Sequence, residues 1–225
     1  MNSATSTRYH RDVRGFIPDA TEVPGYQTLP EAHAAIWDRA KTHLAVRNND
    51  SHTLYAYGIA RALVERVEGA NPDVVLPAIL LHDTGWSTVP DDQILDAIAP
   101  GGGRPELVRQ HELEGARIAT EILTALDHTA AVIDEVVAII DGHDSRREAI
   151  SINDACVKDA DKLWRVTPHG LAIVQQWFGL DHDEALRICS ARAQPFLLTD
   201  AGRAMGLALA AVASIDQLPQ RAGLV

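Results

Sequence analysis

The sequence contains little cysteine, few aromatic residues and no long apolar run. Its two cysteines, Cys156 and Cys189, lie far apart without CxxC spacing, which argues against a disulfide framework or a thiolate zinc site and favours a reducing compartment. Aromatic residues make up 5% of the chain, while Ala, Leu, Ile and Val dominate, a composition that favours packed helices over a β-sandwich. No apolar run approaches the roughly 18 residues of a membrane span, and MNSATSTRYHRD lacks the apolar core of a signal peptide. We therefore expect a cytoplasmic protein that has no membrane partner.

Basic residues are also scarce relative to acidic ones. The formal net charge is −11 and the pI is near 5.3. Nucleic-acid affinity comes mainly from Lys and Arg contacts with phosphates, so this balance argues against a nucleic-acid partner. A small anionic substrate is still compatible, if a metal ion and a few local basic groups supply positive charge. The sequence leaves the oligomeric state open between a monomer and a homo-oligomer.

Apolar residues recur at helical spacing through most of the chain. Residues 1–28 carry prolines and glycines without steady periodicity and are expected to form an extended arm. A single helical domain is expected over residues 29–215, followed by a tail at 216–225. Asn48 to Ser51 are expected to cap a helix, and GGGRPE to form a flexible hinge. The predicted helical segments are 31–46, 52–67, 74–83, 105–126, 127–143 and 153–166, with two or three more up to about residue 215.

Strand patterns are weak, because no run alternates cleanly over more than four residues. A parallel sheet with VVLPAILL as a buried strand lacks companion strands. The predicted fold class is therefore all-α, a helical bundle that carries ligands on facing helices.

Several of the ten histidines are placed at helix ends or on apolar helix faces. A single histidine on an apolar face is usually a satisfied core residue, but here several occur together with aspartates on different helices. Imidazole and carboxylate groups are the usual ligands of zinc, iron, manganese and similar divalent ions. The candidate ligands are His52, His82, Asp83, His111, His143 and Asp161.

These residues lie in motifs that resemble the HD-domain superfamily of metal-dependent phosphohydrolases. The pieces that carry the resemblance are SHTLYAYGIA, AILLHDTGW, HELEGARIA, IIDGHD and KDADKLW, over about residues 52–164. Neither an HD dipeptide nor an ADKL segment is specific alone. Their order is informative, with 30 residues from His52 to His82, 79 from His82 to Asp161, and 18 from His143 to Asp161.

The resemblance implies a role for each ligand. His52, His82, Asp83 and Asp161 correspond to the four-ligand HD set, and Asp161 is preferred over Asp159 because it directly precedes a basic residue. The two extra histidines of the subgroups that hold two metals correspond to His111 and His143. Asp83 would then bridge two ions and be the catalytic residue. The implied cofactor is a divalent metal, two ions of iron or manganese ahead of zinc, magnesium, nickel or cobalt.

The HD dipeptide occurs three times. By the resemblance, His82-Asp83 is the signature pair, and in His143-Asp144 only the histidine is a ligand, with Asp144 facing solvent or capping the next turn. His182-Asp183 lies at a polar helix start, where Asp181 is expected to act as the N-cap.

Several residues near these motifs are candidates for substrate binding. Lys162 and Arg165 lie one turn apart on the Asp161 helix and are candidate phosphate contacts, with a solvated basic face as the alternative. Trp86 stands where several two-metal HD families carry a lysine, which removes one charged substrate contact of those relatives. The absence of a GYP sequence disfavours the HD-GYP signalling enzymes. Weaker substrate-binding candidates are Arg47, Asn49 and Lys158.

Three functions fit this pattern. The first is hydrolysis of a small phosphate ester or nucleotide by a water that the metal activates. The second is a diiron oxygenase that resembles myo-inositol oxygenase or the organophosphonate-cleaving enzymes and acts on a small hydroxylated or phosphonate substrate. The third is a metal-stabilised ligand-binding or regulatory module.

Overall fold

A computed structural model describes residues 11–218 and residue 220. Within these residues the chain forms ten α-helices and no strand, which confirms the all-α prediction. The helices are α1 (Glu31–Ala40), α2 (Asn49–Val64), α3 (Pro72–Leu81), α4 (Asp91–Ile98), α5 (Pro105–Ala125), α6 (Ala130–Ile140), α7 (Ile152–Trp164), α8 (Pro168–Phe178), α9 (His182–Ala193) and α10 (Asp200–Ile215). No helix in this part of the chain combines the length and the hydropathy that crossing a bilayer requires.

Helix α3 lies at the centre of the core. All of its residues from Val74 to Leu81 are buried, because α1, α2, α5, α6 and α7 pack around it. Its start is defined by Asn71, whose side chain accepts a hydrogen bond from the Asp73 amide at 3.0 Å, and by Pro72 in the first turn. A helix that is apolar on all sides must be surrounded by other elements. The polar residues that follow it therefore enter the interior as well.

Helix α5 packs closely against a 3₁₀ turn, Thr84–Thr88, that follows α3. The turn and the helix approach backbone to backbone at Gly85. A methyl group on Gly85 would overlap the carbonyl oxygen of His111 and lie 2.5 Å from the amide nitrogen of Gly115. Only glycine allows this approach, which brings the end of α3 against the middle of α5.

Helices α8, α9 and part of α10 form a second, smaller apolar cluster beside the main core. Its buried residues include Val166, Leu171, Val174, Leu186 and Cys189. These helices form one wall of a cavity, and the other wall belongs to the main core and its loops.

Several local predictions differ from the structure. Helix α1 ends at Ala40, six residues earlier than expected, and α4 was not predicted. Asn48 adopts a left-handed conformation (φ 59°) and makes no side-chain capping bond, so the predicted cap at 48–51 is wrong. Asp181 does cap α9, in a reciprocal arrangement with Glu184.

The structure describes only part of the predicted N-terminal arm (residues 1–28) and of the predicted tail (residues 216–225). Residues 1–10 of the predicted arm and residues 219 and 221–225 of the predicted tail lie outside the described residues. Residues 14–16 and 20–22 form exposed 3₁₀ turns, and the helices run from residue 31 to residue 215. The division into arm, domain and tail stays a prediction.

Candidate metal centre

Two buried histidines from α2 and α3 face each other. His82 caps the C-terminus of α3, and its Nδ1 lies 2.8 Å from the carbonyl oxygen of Ile79. Nδ1 must therefore carry the proton, which leaves the lone pair on Nε2. This Nε2 lies 3.1 Å from Nε2 of His52, in the first turn of α2. Asp161 on α7 completes the group, with Oδ1 at 3.5 Å from His52 Nε2 and 3.9 Å from His82 Nε2.

A second pair of buried histidines repeats this arrangement. Nε2 of His111, on α5, lies 3.3 Å from Nε2 of His143, in the loop after α6. His143 Nδ1 lies 2.9 Å from the carbonyl oxygen of Ile140, so Nδ1 carries a proton, as it does in His82, and Nε2 faces the cluster. Oδ2 of Asp144 lies 3.5 Å from His111 Nε2 and 3.8 Å from His143 Nε2.

The carboxylate of Asp83 lies between the two histidine pairs. Its Oδ2 is 3.4 Å from His52 Nε2 and 3.6 Å from His82 Nε2. Its Oδ1 is 3.6 Å from His143 Nε2 and 3.9 Å from His111 Nε2. Each histidine pair thus has one carboxylate of its own and one oxygen of Asp83.

The spacing of the donor atoms suits divalent metal ions. Two atoms bound at about 2.1 Å from one ion at octahedral or tetrahedral angles lie roughly 3.0–3.4 Å apart, close to the separations between the facing nitrogens. Three groups have ligand atoms that all lie within 4.8 Å of one another: His52, His82 and Asp161; His82, Asp83 and His143; and His111, His143 and Asp144. All six predicted ligands therefore come together in one place.

Asp144 is the residue that the sequence interpretation missed. It is exposed, as expected, but its carboxylate also lies 3.5 Å from His111 Nε2 and 3.8 Å from His143 Nε2 and lines the cavity. The signal that could have identified it is the repetition of the His-Asp dipeptide, because both the first and the second dipeptide follow an apolar helix. Asp159, by contrast, accepts bonds from the Leu198 amide and from Thr199, outside the cluster, as expected for a residue that is not a ligand.

The histidines differ in protonation. Burial lowers the pKa of His52 to about 3 and that of His111 to about 4, so both rings are neutral at pH 7. Burial also lowers the pKa of His143, but Asp144 and Asp83 outweigh it and raise the pKa to about 9. Burial raises the pKa of Asp83, yet the neighbouring histidines and Arg47 hold it well below its usual value. His143 therefore carries a second proton at pH 7 when no ion is bound, and an ion that binds its Nε2 would release that proton.

Trp86 is buried, with 1% of its surface exposed, and does not line the cavity. Its indole Nε1 donates to Asp83 Oδ1 at 3.1 Å, and its ring stacks on His111 with centroids 3.9 Å apart and an angle of 9°. Its position does not support the expected substrate contact. Instead it holds one oxygen of Asp83 and the ring of His111, as a supporting residue around candidate metal ligands would.

Arg47 supplies a positive charge beside the cluster. Its guanidinium carbon lies 5.4 Å from the centroid of Trp86 and 5.2 Å from that of Trp177, so two aromatic faces enclose the cation. One nitrogen donates to Asn49 Oδ1 at 3.0 Å and lies 3.9 Å from Asp83 Oδ2. Asn49 therefore orients Arg47 and does not itself face the cavity.

Two buried charges hold the loop that carries His143 and Asp144. Glu112, next to His111, accepts bonds from the amides of Asp144 (3.0 Å) and Ser145 (2.7 Å) and from the Ser145 hydroxyl (2.7 Å). Lys158, on α7, donates to the carbonyl oxygens of Gly142, His143 and Arg146 at 2.8–2.9 Å. The ammonium group of Lys158 is thus bound to backbone carbonyl oxygens, although the sequence suggested Lys158 as a weak candidate for a phosphate contact.

A cavity of about 520 Å³ opens onto the cluster at Asp144 and Asp161. Lys162 and Arg165, the predicted phosphate contacts, both line it. Arg165 lies with Nη1 3.4 Å from Asp161 Oδ2, so its charge is directly beside a candidate ligand. The size of the cavity suits a small molecule.

Comparison with known proteins gave one match. The model of the HD domain family matches residues 49–165, just over half of the chain. This range begins at the start of α2 and ends after α7, so it includes every residue of the cluster. Neither the curated proteins nor the solved structures gave a match.

Proposed function

Because this chain belongs to the HD domain family, we propose that it is a metal-dependent phosphohydrolase that acts on a small phosphate ester or nucleotide. Family membership supports phosphohydrolase-type chemistry in general. The observation that carries the specific proposal is the position of Asp83, whose two oxygens face two separate histidine pairs beside a basic cavity.

The ligands would hold two divalent ions. His52, His82 and Asp161 would hold one, His111, His143 and Asp144 the other, and Asp83 would contribute one oxygen to each. Ions bound there supply Lewis acidity and an activated water at neutral pH. Backbone carbonyls accept the Nδ1 protons of His82 and His143, so the Nε2 atoms of these two rings are directed at the ions.

Residues on the cavity wall would bind and orient the phosphate. Lys162 and Arg165 project from the helix that carries Asp161, so an ester bound against the metal ligands would meet their charges. Fixed cations next to the reacting group stabilise the charge that develops in phosphoryl transfer. Arg47, enclosed by Trp86 and Trp177, adds a permanent positive charge near Asp83.

A small-molecule substrate is more consistent with this protein than a nucleic acid. The net charge of −11 opposes binding to a polyanionic strand, whereas the basic residues are concentrated at one cavity. Both cysteines are buried and free, which supports a reducing, cytoplasmic location.

The same ligands would also serve a diiron oxygenase, so the deciding experiment must separate the two reactions. We would count metal ions in the purified protein and measure phosphate release from a panel of phosphate esters with and without oxygen. Release that persists without oxygen and is lost in Asp83→Ala supports the proposal. The matched control is Asp183→Ala, the aspartate of the exposed third His-Asp dipeptide, which should retain activity.

Two results would overturn the proposal. Two irons, oxygen uptake with a small alcohol or phosphonate, and no phosphate release would establish an oxygenase. A co-purifying ligand without either activity would establish a binding module.

A further inference from the structure

The cavity next to the metal centre has an excess of positive charge. Six basic residues line it: Arg146, Arg147, Lys158, Lys162, Arg165 and Arg192. Three of them have partners, because Lys158 donates to backbone carbonyls, Arg146 lies 3.3 Å from Asp154 and Arg165 lies 3.4 Å from Asp161. The other three, Arg147, Lys162 and Arg192, have no carboxylate within 4.0 Å among the residues that the structure describes.

Such a cluster is unexpected in a chain with 31 acidic and 20 basic residues. Carboxylates outnumber cations in the chain, yet no described carboxylate lies within 4.0 Å of these three side chains. Like charges along one cavity repel each other, and an anion between them removes this cost. A single phosphate at the metal centre would be held by the ions, Lys162 and Arg165, which leaves Arg147 and Arg192 without a ligand.

Arg192 belongs to the same part of the cavity as Arg165, although it lies on another helix. Burial raises the pKa of the Cys189 thiol, and the charges of both Arg165 and Arg192 oppose this rise. Both guanidinium groups therefore act on one buried side chain of the cavity wall. The basic surface thus extends from the Asp161 helix, α7, to α9.

Aromatic side chains lie along the same cavity. Trp177 and Phe178 on α8 line it together with Phe196 after α9. Phe178 is 37% exposed and Phe196 46% exposed, so both present apolar surface to the cavity or its mouth. Aromatic faces favour an apolar or planar group in the ligand.

We infer that the substrate of the proposed reaction carries a second phosphate group, separated from the reacting one by an apolar or planar portion. Arg147 and Arg192 would bind this second phosphate, and Trp177, Phe178 and Phe196 would contact the portion between the two. The inference rests on the proposed function, because it places the reacting phosphate at the metal centre.

The test compares ligands that differ only in the second phosphate. Binding of nucleoside 5′-monophosphates and the matching 3′,5′-bisphosphates, for each of the four common bases, would be measured by calorimetry with manganese-loaded protein. We expect at least one bisphosphate to bind ten times or more tightly than its monophosphate. Arg147→Gln and Arg192→Gln should reduce that ratio to about threefold or less. Arg39→Gln, an exposed arginine of α1 outside the cavity, should leave the ratio unchanged.

Phosphate release from phenyl phosphate and from the nucleotides would be measured in parallel. The proposed hydrolase activity and the proposed site for a second phosphate can then be rejected independently. One outcome is phosphate release together with equal affinity for the two members of every nucleotide pair, or with no nucleotide binding at all. This outcome would contradict the site for a second phosphate but would still support the phosphohydrolase. Tight, Arg192-dependent binding of a bisphosphate without release from any ester would support the anion site and contradict the hydrolase. A bisphosphate preference that survives both arginine variants would also overturn the assignment of these residues.

Discussion

The ammonium group of Lys158 lies 2.8 Å from the backbone carbonyl oxygen of His143, a candidate ligand of the second histidine pair. From the opposite side, the carboxylate of Glu112 accepts two backbone amides and one hydroxyl of Asp144 and Ser145. Two buried charges of opposite sign therefore fix one short loop. Both belong to helices that themselves carry ligands, His111 on α5 and Asp161 on α7.

Removing the Lys158 charge should loosen the second metal site selectively. Lys158→Met leaves three carbonyl oxygens without a donor, and loss of a buried charged partner costs about 3–5 kcal/mol of stability. We expect metal content to fall from about two ions per chain towards one, measured by plasma mass spectrometry beside a thermal melt. Lys162→Met, one turn further along α7, is the matched control, because its ammonium makes only a 3.4 Å backbone contact. Equal metal loss in both variants would contradict the role of Lys158.

Replacing single histidines should show how many ions bind. His111→Ala or His143→Ala should each reduce the metal content to about one ion per chain, because each removes one nitrogen ligand of the same site. The control is His182→Ala, at the start of α9 and outside the cluster. Unchanged stoichiometry in both ligand variants would restrict the centre to the His52, His82, Asp83 and Asp161 set.

Trp86→Phe should weaken metal binding while the fold is kept. Phenylalanine can still stack on His111 but cannot donate to Asp83 Oδ1. Loss of a hydrogen bond to a metal ligand typically lowers affinity by about 10–100-fold. A competition titration with a metal-binding dye measures this change. Trp37→Phe, on α1, should bind metal like the wild type. If Trp86→Phe also does so, the indole has no orienting role.

Gly85→Ala should destabilise the protein strongly. The new methyl group would overlap the His111 carbonyl oxygen, so α5 and the turn after α3 would have to separate. Overpacking of this kind costs about 3 kcal/mol, and the separation would also pull Asp83 away from His111. Urea unfolding measures the loss. Gly103→Ala, where nothing lies within 4 Å of the added methyl, should change stability little. Equal stability of both variants would show that this backbone contact is dispensable.

Much of the candidate metal centre could be predicted because its candidate ligands lie at helix ends or faces that the hydrophobic pattern marks. His82 and Asp83 follow an apolar helix, and a buried helix carries its last polar residues into the core. The helical class follows from the same periodicity. The short helix α4 was missed, since its eight residues, four of them apolar, are too few to establish a helical period.

Side-chain direction could not be predicted in the same way. Asp144 follows His143 directly, but the sequence does not define how the loop after α6 turns, and this turn decides whether the carboxylate faces solvent or the cluster. Trp86 and Lys158 were considered as substrate contacts because they are adjacent to ligand motifs. Tertiary packing instead directs the indole to Asp83 and the ammonium to backbone carbonyls. Adjacency in sequence indicates the neighbourhood of a residue but not what its side chain faces.

The position of Asp83 between the two histidine pairs would make the two proposed metal sites thermodynamically dependent. One carboxylate cannot rotate towards one pair without withdrawing an oxygen from the other, so the affinity of each site depends on the occupancy of its neighbour. Linkage requires this coupling to be reciprocal: if filling the first site changes affinity at the second by some factor, filling the second changes the first equally. Metal titrations of this protein should therefore fit a cooperative two-site isotherm rather than two independent sites.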